Sequence, residues 1–262
     1  MNVVGDLVAA MEEIAPPRLA ASWDNVGLLV GDPESPLTRL LVAVDGTLAV
    51  LEEARLAGCE ALVAYHPVIF APLKRLVAGS VAFEAARAGL SVYCPHTALD
   101  AATGGTNDVL GDIIGLADRR PLGVAPPSPA PATPGTGFGR VGDVVPERLG
   151  ELVSRLKSAL GVEHVLIAGR LDRRVTRVAL CAGSGGDLLA DAVAAGADLF
   201  VTGELRHHDA LRACEAGLAV VCTLHSVSER PALAPLAEKL RARLPGVAVS
   251  LSARDRDPFE QG

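Results

Sequence analysis

The chain alternates continuous apolar runs with stretches in which apolar residues recur every three or four positions. The continuous runs are rich in Val and Leu, as is typical of strands buried on both faces of a sheet. They cover residues 40–44, 61–64, 90–94, 175–181, 199–202 and 219–223. The intervening stretches, such as 48–57 and 188–195, are rich in Ala, Leu and Glu and favour helices. This pattern predicts an α/β fold with mostly parallel or mixed sheets flanked by helices.

The same order of residue types occurs twice along the chain. Residues 57–66 (AGCEALVAYH) align without a gap on residues 195–204 (AGADLFVTGE). Residues 88–100 (AGLSVYCPHTALD) and 216–229 (AGLAVVCTLHSVSE) share an A-G-L-x-V-x-C run that is followed by His, three residues and an acid. Such a repeat predicts two similar, pseudo-duplicated α/β lobes.

A stretch dense in Pro and Gly, residues 121–137, lies between the two halves of the repeat. It is either a linker between domains or a long surface loop within one domain. With the first interpretation, residues 1–120 and 231–262 form the first lobe and residues 138–230 form the second.

Composition excludes several classes of function. Half of the 262 residues are hydrophobic, so the chain is not disordered. The net charge is −7 and Lys and Arg are scattered, which argues against nucleic acid or a membrane surface as a partner. The apolar runs are too short to span a bilayer, and the N-terminal residues lack the basic region of a secretion signal. With five cysteines and no C-x-x-C pair, we expect a reduced, cytoplasmic protein.

Polar residues follow the predicted strands at the point where each strand ends. In open α/β sheets, ligands bind beyond the carboxyl ends of the strands. Imidazole and carboxylate together suit zinc, manganese, iron or nickel. The sequence therefore predicts a metal site in a cleft between the lobes, although hydrogen-bonded pairs that cap turns remain an alternative. The candidate residues are His66, His96, Asp100, His225 and Glu229, with Glu204 at an equivalent strand end.

Two further motifs are less specific. Trp23-Asp24-Asn25 could form the floor of the cleft or a turn buttressed by the chain's one tryptophan. The glycine-rich run 183–186 could cradle an anion, but without a P-loop lysine a tight turn is favoured.

Taken together, these motifs resemble the NIF-three-like family of dinuclear-metal proteins, often labelled GTP cyclohydrolase 1 type 2 homologue, in its short form. The resemblance covers essentially the whole chain. The matching blocks, in order, are S-W-D-N-V-G-L (22–28), V-D-x-T (44–47), Y-H-P (65–67), H-T-x-L-D with G-G-x-N-D (96–108), G-x-G-R-x-G (137–142), G-E-x-x-H-H (203–208), H-x-x-S-E-R (225–230) and D-x-D-P-F (255–259).

The resemblance implies one or two divalent metal ions per chain. His66 and Asp100 would hold one metal, His225 would hold a second, and Glu229 would bridge both. It also implies a homo-oligomer, a toroidal hexamer whose sites face an internal cavity.

The chain departs from the family's motif at Tyr65, where the first His of H-H-P is expected. A phenol is mostly protonated at neutral pH and is a poor zinc ligand. Three outcomes stay open: His96 or another nearby group such as Glu204 substitutes for the ligand or orients the others, Tyr65 binds a harder ion as phenolate, or the site holds one metal. We favour one well-held metal with a weak or absent second one.

Two functions follow from these residues. The first is a metal-dependent hydrolase that activates water against a small polar or nucleotide-like substrate. The second is a non-catalytic metal-binding or metal-delivery scaffold, which the loss of a ligand at Tyr65 favours.

Overall fold

A computed structural model of the chain describes residues 2–123 and 135–260. The α-helices in these residues are α1 (Val4–Ile14), α2 (Leu48–Leu56), α3 (Val81–Arg87), α4 (His96–Ala101), α5 (Thr106–Ile114), α6 (Leu149–Leu160), α7 (Leu189–Ala194), α8 (His207–Glu215), α9 (His225–Glu229) and α10 (Leu233–Arg243). The strands are β1 (Gly27–Val30), β2 (Arg39–Ala43), β3 (Ala61–Ala64), β4 (Ser91–Cys94), β5 (Ala117–Pro121), β6 (Arg140–Arg148), β7 (Leu166–Ala168), β8 (Arg174–Ser184), β9 (Leu199–Glu204), β10 (Ala219–Cys222) and β11 (Ala248–Leu251). Within the described ranges, every helix is too short or too polar to cross a bilayer.

The chain forms two compact units. The first comprises Met1–Leu99 and Leu233–Pro258, and the second comprises Asp100–Ala232 and Phe259–Gly262. These ranges differ from the predicted lobes, because residues 100–120 belong to the second unit. The physical reason is pairing: β5 is hydrogen-bonded to β6, and α5 packs on β8. Most of the predicted linker, residues 124–134, lies outside the described residues.

A five-stranded mixed sheet lies at the centre of the first unit, in the order β1-β4-β3-β2-β11. All neighbouring strands are parallel except β1, which is antiparallel to β4. Leu41, Leu62 and Val92 lie on one face and pack against α2 and α3. Leu40 and Val42 alternate with them, and both are fully buried. Burial on both faces explains why these strands are continuously apolar.

The second unit contains a six-stranded mixed sheet in the order β5-β6-β8-β9-β10-β7. Its central strands β8, β9 and β10 are parallel, and the other pairings are antiparallel. Leu199 and Val201 share a core with residues of α5 and α6, while Phe200 between them packs against α7 and α8. Helices therefore cover this sheet on both sides, and the prediction of an α/β fold with mixed sheets flanked by helices is confirmed.

Three neighbouring parallel strands in each unit are connected in the same way. The first unit runs β2-α2-β3-α3-β4, and the second runs β8-α7-β9-α8-β10. After the third strand, each chain segment turns into a short helix that begins with a histidine, His96 in α4 and His225 in α9. This shared order places both histidines at the carboxyl ends of parallel strands. That the two units are a duplication stays a prediction.

Candidate metal centre

His225 is positioned by backbone pairing that continues beyond β10. The amides of Thr223 and Leu224 donate to the carbonyls of Thr202 and Gly203, each over 3.0 Å. Leu224 has a φ of 80°, in the left-handed region that L side chains seldom adopt. Such backbone conformations concentrate at functional sites, where surrounding contacts hold them. Here Leu224 immediately precedes α9, so the first side chain of the helix, His225, lies just beyond the end of β10.

Two carboxylates flank the His225 ring. Its Nε2 lies 3.1 Å from Glu229 Oε1, and its Nδ1 lies 3.2 Å from Glu204 Oε1. The i,i+4 spacing within α9 places His225 and Glu229 on the same side of the helix. Glu229 is 3% exposed, so its interaction with the ring is little screened by water. The Glu229 hydrogen bond, with a smaller contribution from Glu204, outweighs burial and raises the pKa of His225 to about 9.

The donor atoms of this pair fit one metal ion. Nitrogen and oxygen ligands about 2.0–2.1 Å from one ion lie roughly 2.8–3.4 Å apart in octahedral or tetrahedral geometry. The observed separation of 3.1 Å between His225 Nε2 and Glu229 Oε1 falls in this range. The pair can therefore bind a cation without moving either side chain far.

Gly183 leaves the space that this pair occupies. A Cβ built on Gly183 would lie 2.6 Å from Glu229 Oε1 and 3.3 Å from His225 Nε2, and the residue has a φ of +67°. Gly203 is equally constrained, because its Cβ would lie 2.6 Å from the Gly183 carbonyl and 2.8 Å from the Ser228 hydroxyl. Both glycines are required where the backbone passes directly beside the carboxylate and the imidazole.

Two backbone amides of the glycine-rich run 183–186 donate to side chains of the same unit. The Gly183 amide donates to Ser228 Oγ over 2.8 Å, and the Gly185 amide donates to Thr202 Oγ1 over 3.0 Å. These bonds fasten β8 to α9 and β9. They agree with the tight turn favoured by the sequence rather than with an anion cradle.

Asp100 and Glu229 both lie close enough to Cys181 of β8 for their charges to act on its thiol. Burial raises the pKa of the Cys181 thiol, and the negative charges of Asp100 and Glu229 raise it further. Asn107 is fully buried and links the backbone at Asp100 to β8. Its side-chain Nδ2 donates to the Asp100 carbonyl over 3.0 Å. Its oxygen accepts from the Ala182 amide over 2.9 Å. Both carboxylates therefore act on one thiol within the second unit.

A buried ion pair supports the start of α5. Arg140 is 1% exposed, and its Nε donates to Asp108 Oδ1 over 2.7 Å. The same guanidinium donates to the carbonyls of Gly137, Gly139 and Ala102. Burial alone would raise the pKa of Asp108, but the hydrogen bonds and charge of Arg140 lower it below its ordinary value. The pair holds together the segments on either side of β5.

In the first unit, His66 follows β3 and is oriented by a carboxylate. Its Nδ1 lies 2.8 Å from Oδ1 of Asp45, a residue that follows β2. The backbone beneath is fixed, since the His66 amide donates to the Val44 carbonyl and the Val44 amide donates to Asp255 Oδ2. A carboxylate on one ring nitrogen of a histidine is the common arrangement for presenting the other nitrogen to a metal.

His96 is held by a different carboxylate. Its Nδ1 lies 2.8 Å from Oδ1 of Asp24, whose side chain is fully buried. The Thr97 amide and hydroxyl also donate to Asp24. Burial would raise the pKa of Asp24, but these hydrogen bonds and the charge of His96 lower it below its ordinary value. Asp24 is therefore stabilised as an anion inside the fold.

Tyr65 packs beside both histidines of the first unit. Its ring centroid lies 5.1 Å from that of His66 and 5.8 Å from that of His96, in edge-on arrangements. The residue is 1% exposed. The two imidazole centroids are 5.5 Å apart. The position where the family's motif has a histidine is thus filled by a buried phenol.

The predicted residues fall into one group in each unit. Tyr65, His66 and His96 come together in the first unit, while His225, Glu229 and Glu204 come together in the second, with Asp100 nearby. That all of them bind metal stays a prediction. Sequence reasoning assigned no role to Asp45 and Asn107, although both lie in blocks of the resemblance. Their partners are distant in sequence, and no local pattern identifies such pairs.

Comparison with known proteins defines the family. The profile of the family described as Duf34/NIF3 (NGG1p interacting factor 3) matches residues 2–258. A protein of Clostridium perfringens named GTP cyclohydrolase 1 type 2 homolog is 34% identical, and the match covers 98% of each chain. The protein NIF3 homolog of Schizosaccharomyces pombe is 35% identical, again over 98% of each chain.

Solved structures show the same fold. A hypothetical protein of Staphylococcus aureus is 27% identical and superposes with a TM-score of 0.88, covering 99% of each chain. A Bacillus cereus protein related to NIF3 has a TM-score of 0.89 at 23% identity, also over 99% of each chain, and its likeness concerns the fold alone. Since the family profile and relatives above 30% identity span almost the whole sequence, the chain belongs to the Duf34/NIF3 family.

Proposed function

We propose that the protein binds a divalent metal ion through His225, Glu229, Asp100 and His66, and uses it to hydrolyse a small polar or nucleotide-like substrate. One observation carries the proposal: His225 Nε2 lies 3.1 Å from the buried Glu229 carboxylate, in space that a side chain at position 183 would fill. Imidazole and carboxylate ligands suit zinc, manganese, iron or nickel.

The residues around the ligands have defined roles in this proposal. Glu204 accepts a hydrogen bond from Nδ1–H of His225, which leaves the lone pair of Nε2 available for a metal. Asp45 does the same for His66 in the first unit. When bound, the ion supplies Lewis acidity, which polarises a carbonyl or phosphoryl group and makes water a better nucleophile. With Tyr65 in place of a histidine, one well-held ion and a weak or absent second one are expected.

The substrate class rests on a narrower basis. Several relatives carry the name GTP cyclohydrolase 1 type 2 homolog, which points to a nucleotide-like heterocycle. The crowded groups at the strand ends are polar and acidic, which suits a small polar ligand better than a lipid.

The test combines metal binding with turnover. The chelator-treated protein is reloaded with zinc, manganese, ferrous iron or nickel, and the affinity is measured by competition with a chromogenic chelator. Hydrolysis of GTP and of cyclic amides is then followed with and without metal. Glu229→Gln should lose both metal affinity and hydrolysis, whereas Glu52→Gln, in an exposed pair with Arg55, should change neither.

A second pair of variants tests the space beside the ligands. Gly183→Ala should impair metal binding, because its Cβ meets both ligand atoms. Gly196→Ala is the matched control, since Gly196 has nearly the same φ, +68°, and a Cβ added there would meet nothing within 4 Å. Equal metal affinity in the two variants would remove the structural basis of the proposal.

A non-catalytic metal-binding or metal-delivery scaffold is the second candidate. The buried Tyr65 favours it, because a site that has lost a ligand can still bind a metal without catalysing a reaction. Metal that exchanges with a competing chelator, with no hydrolysis under any metal, would support the scaffold. A saturable, metal-dependent reaction would exclude it.

A further inference from the structure

Two aromatic side chains of the first unit stand exposed next to the histidines. Trp23, the one tryptophan of the chain, is 61% exposed, and Phe70 is 56% exposed. Their ring centroids are 5.9 Å apart, with an angle of 53° between the planes. A tryptophan that only supports a turn gains stability by burial, so this exposure leaves most of its apolar surface unused by the fold.

The backbone that carries these rings is firmly held. The Ala21 amide donates to the Thr97 hydroxyl over 3.0 Å, on the N-terminal side of Trp23. On the other side, the side-chain Nδ2 of Asn25 donates to the Ile69 carbonyl over 2.6 Å and joins the Trp23 segment to the residue before Phe70. The backbone on which both rings stand is therefore fixed while the rings face solvent and contact each other, which favours a preorganised binding surface.

Ring contacts connect Trp23 to His66, the proposed metal ligand of the first unit. The Trp23 centroid lies 6.1 Å from that of His96, and the His96 centroid lies 5.5 Å from that of His66. Asp24, next to Trp23 in sequence, holds His96 through Nδ1. The His96 ring therefore contacts both the Trp23 ring and the His66 ring.

We propose that Trp23 and Phe70 form a stacking platform for a planar heteroaromatic ring of the substrate, which sets that ring beside His96 and His66. The proposal rests on the proposed function, because it takes His66 as a metal ligand. Stacking on an aromatic side chain tolerates any planar base, so the platform supplies affinity and orientation while polar groups select the substrate.

The single tryptophan makes the platform directly observable. Guanosine is the probe, because it has the ring system but lacks phosphates that would bind metal. Fluorescence is excited at the red edge of tryptophan absorption, where guanosine does not absorb. Guanosine should quench the emission saturably, and ribose 5-phosphate at the same concentration should not. Absence of saturable quenching by guanosine would overturn the proposal.

Variants separate stacking from general effects on folding. Trp23→Ala should weaken guanosine binding by about tenfold or more in calorimetry, while Trp23→Phe should keep much of it. Phe70→Ala should weaken it less. Leu56→Ala is the control, since Leu56 is 63% exposed in the same unit and should have no effect. Equal binding by wild type and a folded Trp23→Ala variant would contradict the platform.

Two outcomes distinguish this proposal from others. Glu229→Gln should retain guanosine quenching even if it loses metal and hydrolysis, so failure of the proposed chemistry and failure of the platform give different results. If Trp23 emission instead shifts to the blue with protein concentration, and light scattering shows that Trp23→Ala reduces self-association, a second copy covers these rings and the platform is wrong.

Discussion

The two histidine turns, at His96 in the first unit and at His225 in the second, follow similar local sequences but have different hydrogen-bond partners. His96 is 15% exposed and is bonded to the fully buried Asp24. His225 is 37% exposed and lies between Glu204 and Glu229. Equivalent positions in a repeat can therefore carry different roles, and the partners of the imidazole decide which.

The difference arises from chain segments outside the repeat. Asp24 belongs to the segment before β1, whereas Glu204 and Glu229 belong to the strand and helix of the repeat itself. His96 is bonded to one carboxylate, that of Asp24. Two carboxylates at His225 leave an excess of negative charge, which a divalent cation would neutralise. The second turn is thus the better candidate for a metal ligand, and the first for a positioning element.

The largest expected effect comes from removing the buried ion pair at the start of α5, in the second unit. Arg140→Met leaves the buried Asp108 with Arg119, which is 3.1 Å away and 30% exposed, and should lower the free energy of unfolding by about 3 kcal/mol in a urea titration. Arg177→Met, in a half-exposed pair with Asp143, should cost at most about 1 kcal/mol. A similar small loss for both variants would show that the buried pair does not stabilise the unit.

The second largest loss of stability is expected from removing the His96 imidazole. His96→Ala takes away a charge-assisted hydrogen bond from Asp24 and should cost about 1.5–3 kcal/mol in the same titration. The exposed His208 provides the control, since His208→Ala should change stability by about 0.5 kcal/mol or less. If the two variants are equally stable, the Asp24–His96 pair is not a structural element.

A smaller effect is expected from the carboxylate that orients His66. Asp45→Asn should weaken metal binding by about 10–100-fold, because a carboxylate bonded to a ligating histidine fixes the ring and raises its basicity. The measurement is chelator competition, with Glu52→Gln as the unchanged control. An unaltered affinity in Asp45→Asn would mean that His66 does not bind the metal through the nitrogen opposite Asp45.

The smallest expected effect is the contribution of Asp108 to the pH dependence of the free energy of unfolding. The pKa of Asp108 lies below its ordinary value, because the hydrogen bonds and charge of Arg140 outweigh burial. A carboxylate with a lowered folded-state pKa adds stability above its unfolded pKa of about 4 and loses it as the pH falls through the folded value. The free energy of unfolding should decline on acidification, and the decline should be shallower in Asp108→Asn. Parallel curves would exclude Asp108 as a source of the pH dependence.

Sequence patterns identified the elements that are buried on both faces. The predicted strand at 199–202 forms the start of β9, and the predicted run at 61–64 coincides with β3. Edge and antiparallel strands were not apparent. β5 has the sequence ADRRP, and β6 contains both Gly142 and Pro146, so neither shows an apolar run. Their pairing with each other and with β8, which draws residues 100–120 into the second unit, depends on tertiary contacts.

The parts of the candidate site that were predictable consist of residues close to one another in sequence. His225 and Glu229 are four residues apart on one helix, and the strand before them is evident from the sequence. The carboxylates that orient His96 and His66 are 72 and 21 residues away from them. No periodicity links residues at those separations, so only the folded structure identifies Asp24 and Asp45 as partners.

The most direct test of the central claim is the metal content of purified His225→Ala and His96→Ala, measured by elemental analysis beside wild type. We expect wild type to hold about one ion per chain, His225→Ala to lose it, and His96→Ala to retain most of it despite reduced stability. Metal retained in His225→Ala, or lost only in His96→Ala, would contradict the assignment of the metal to the second turn.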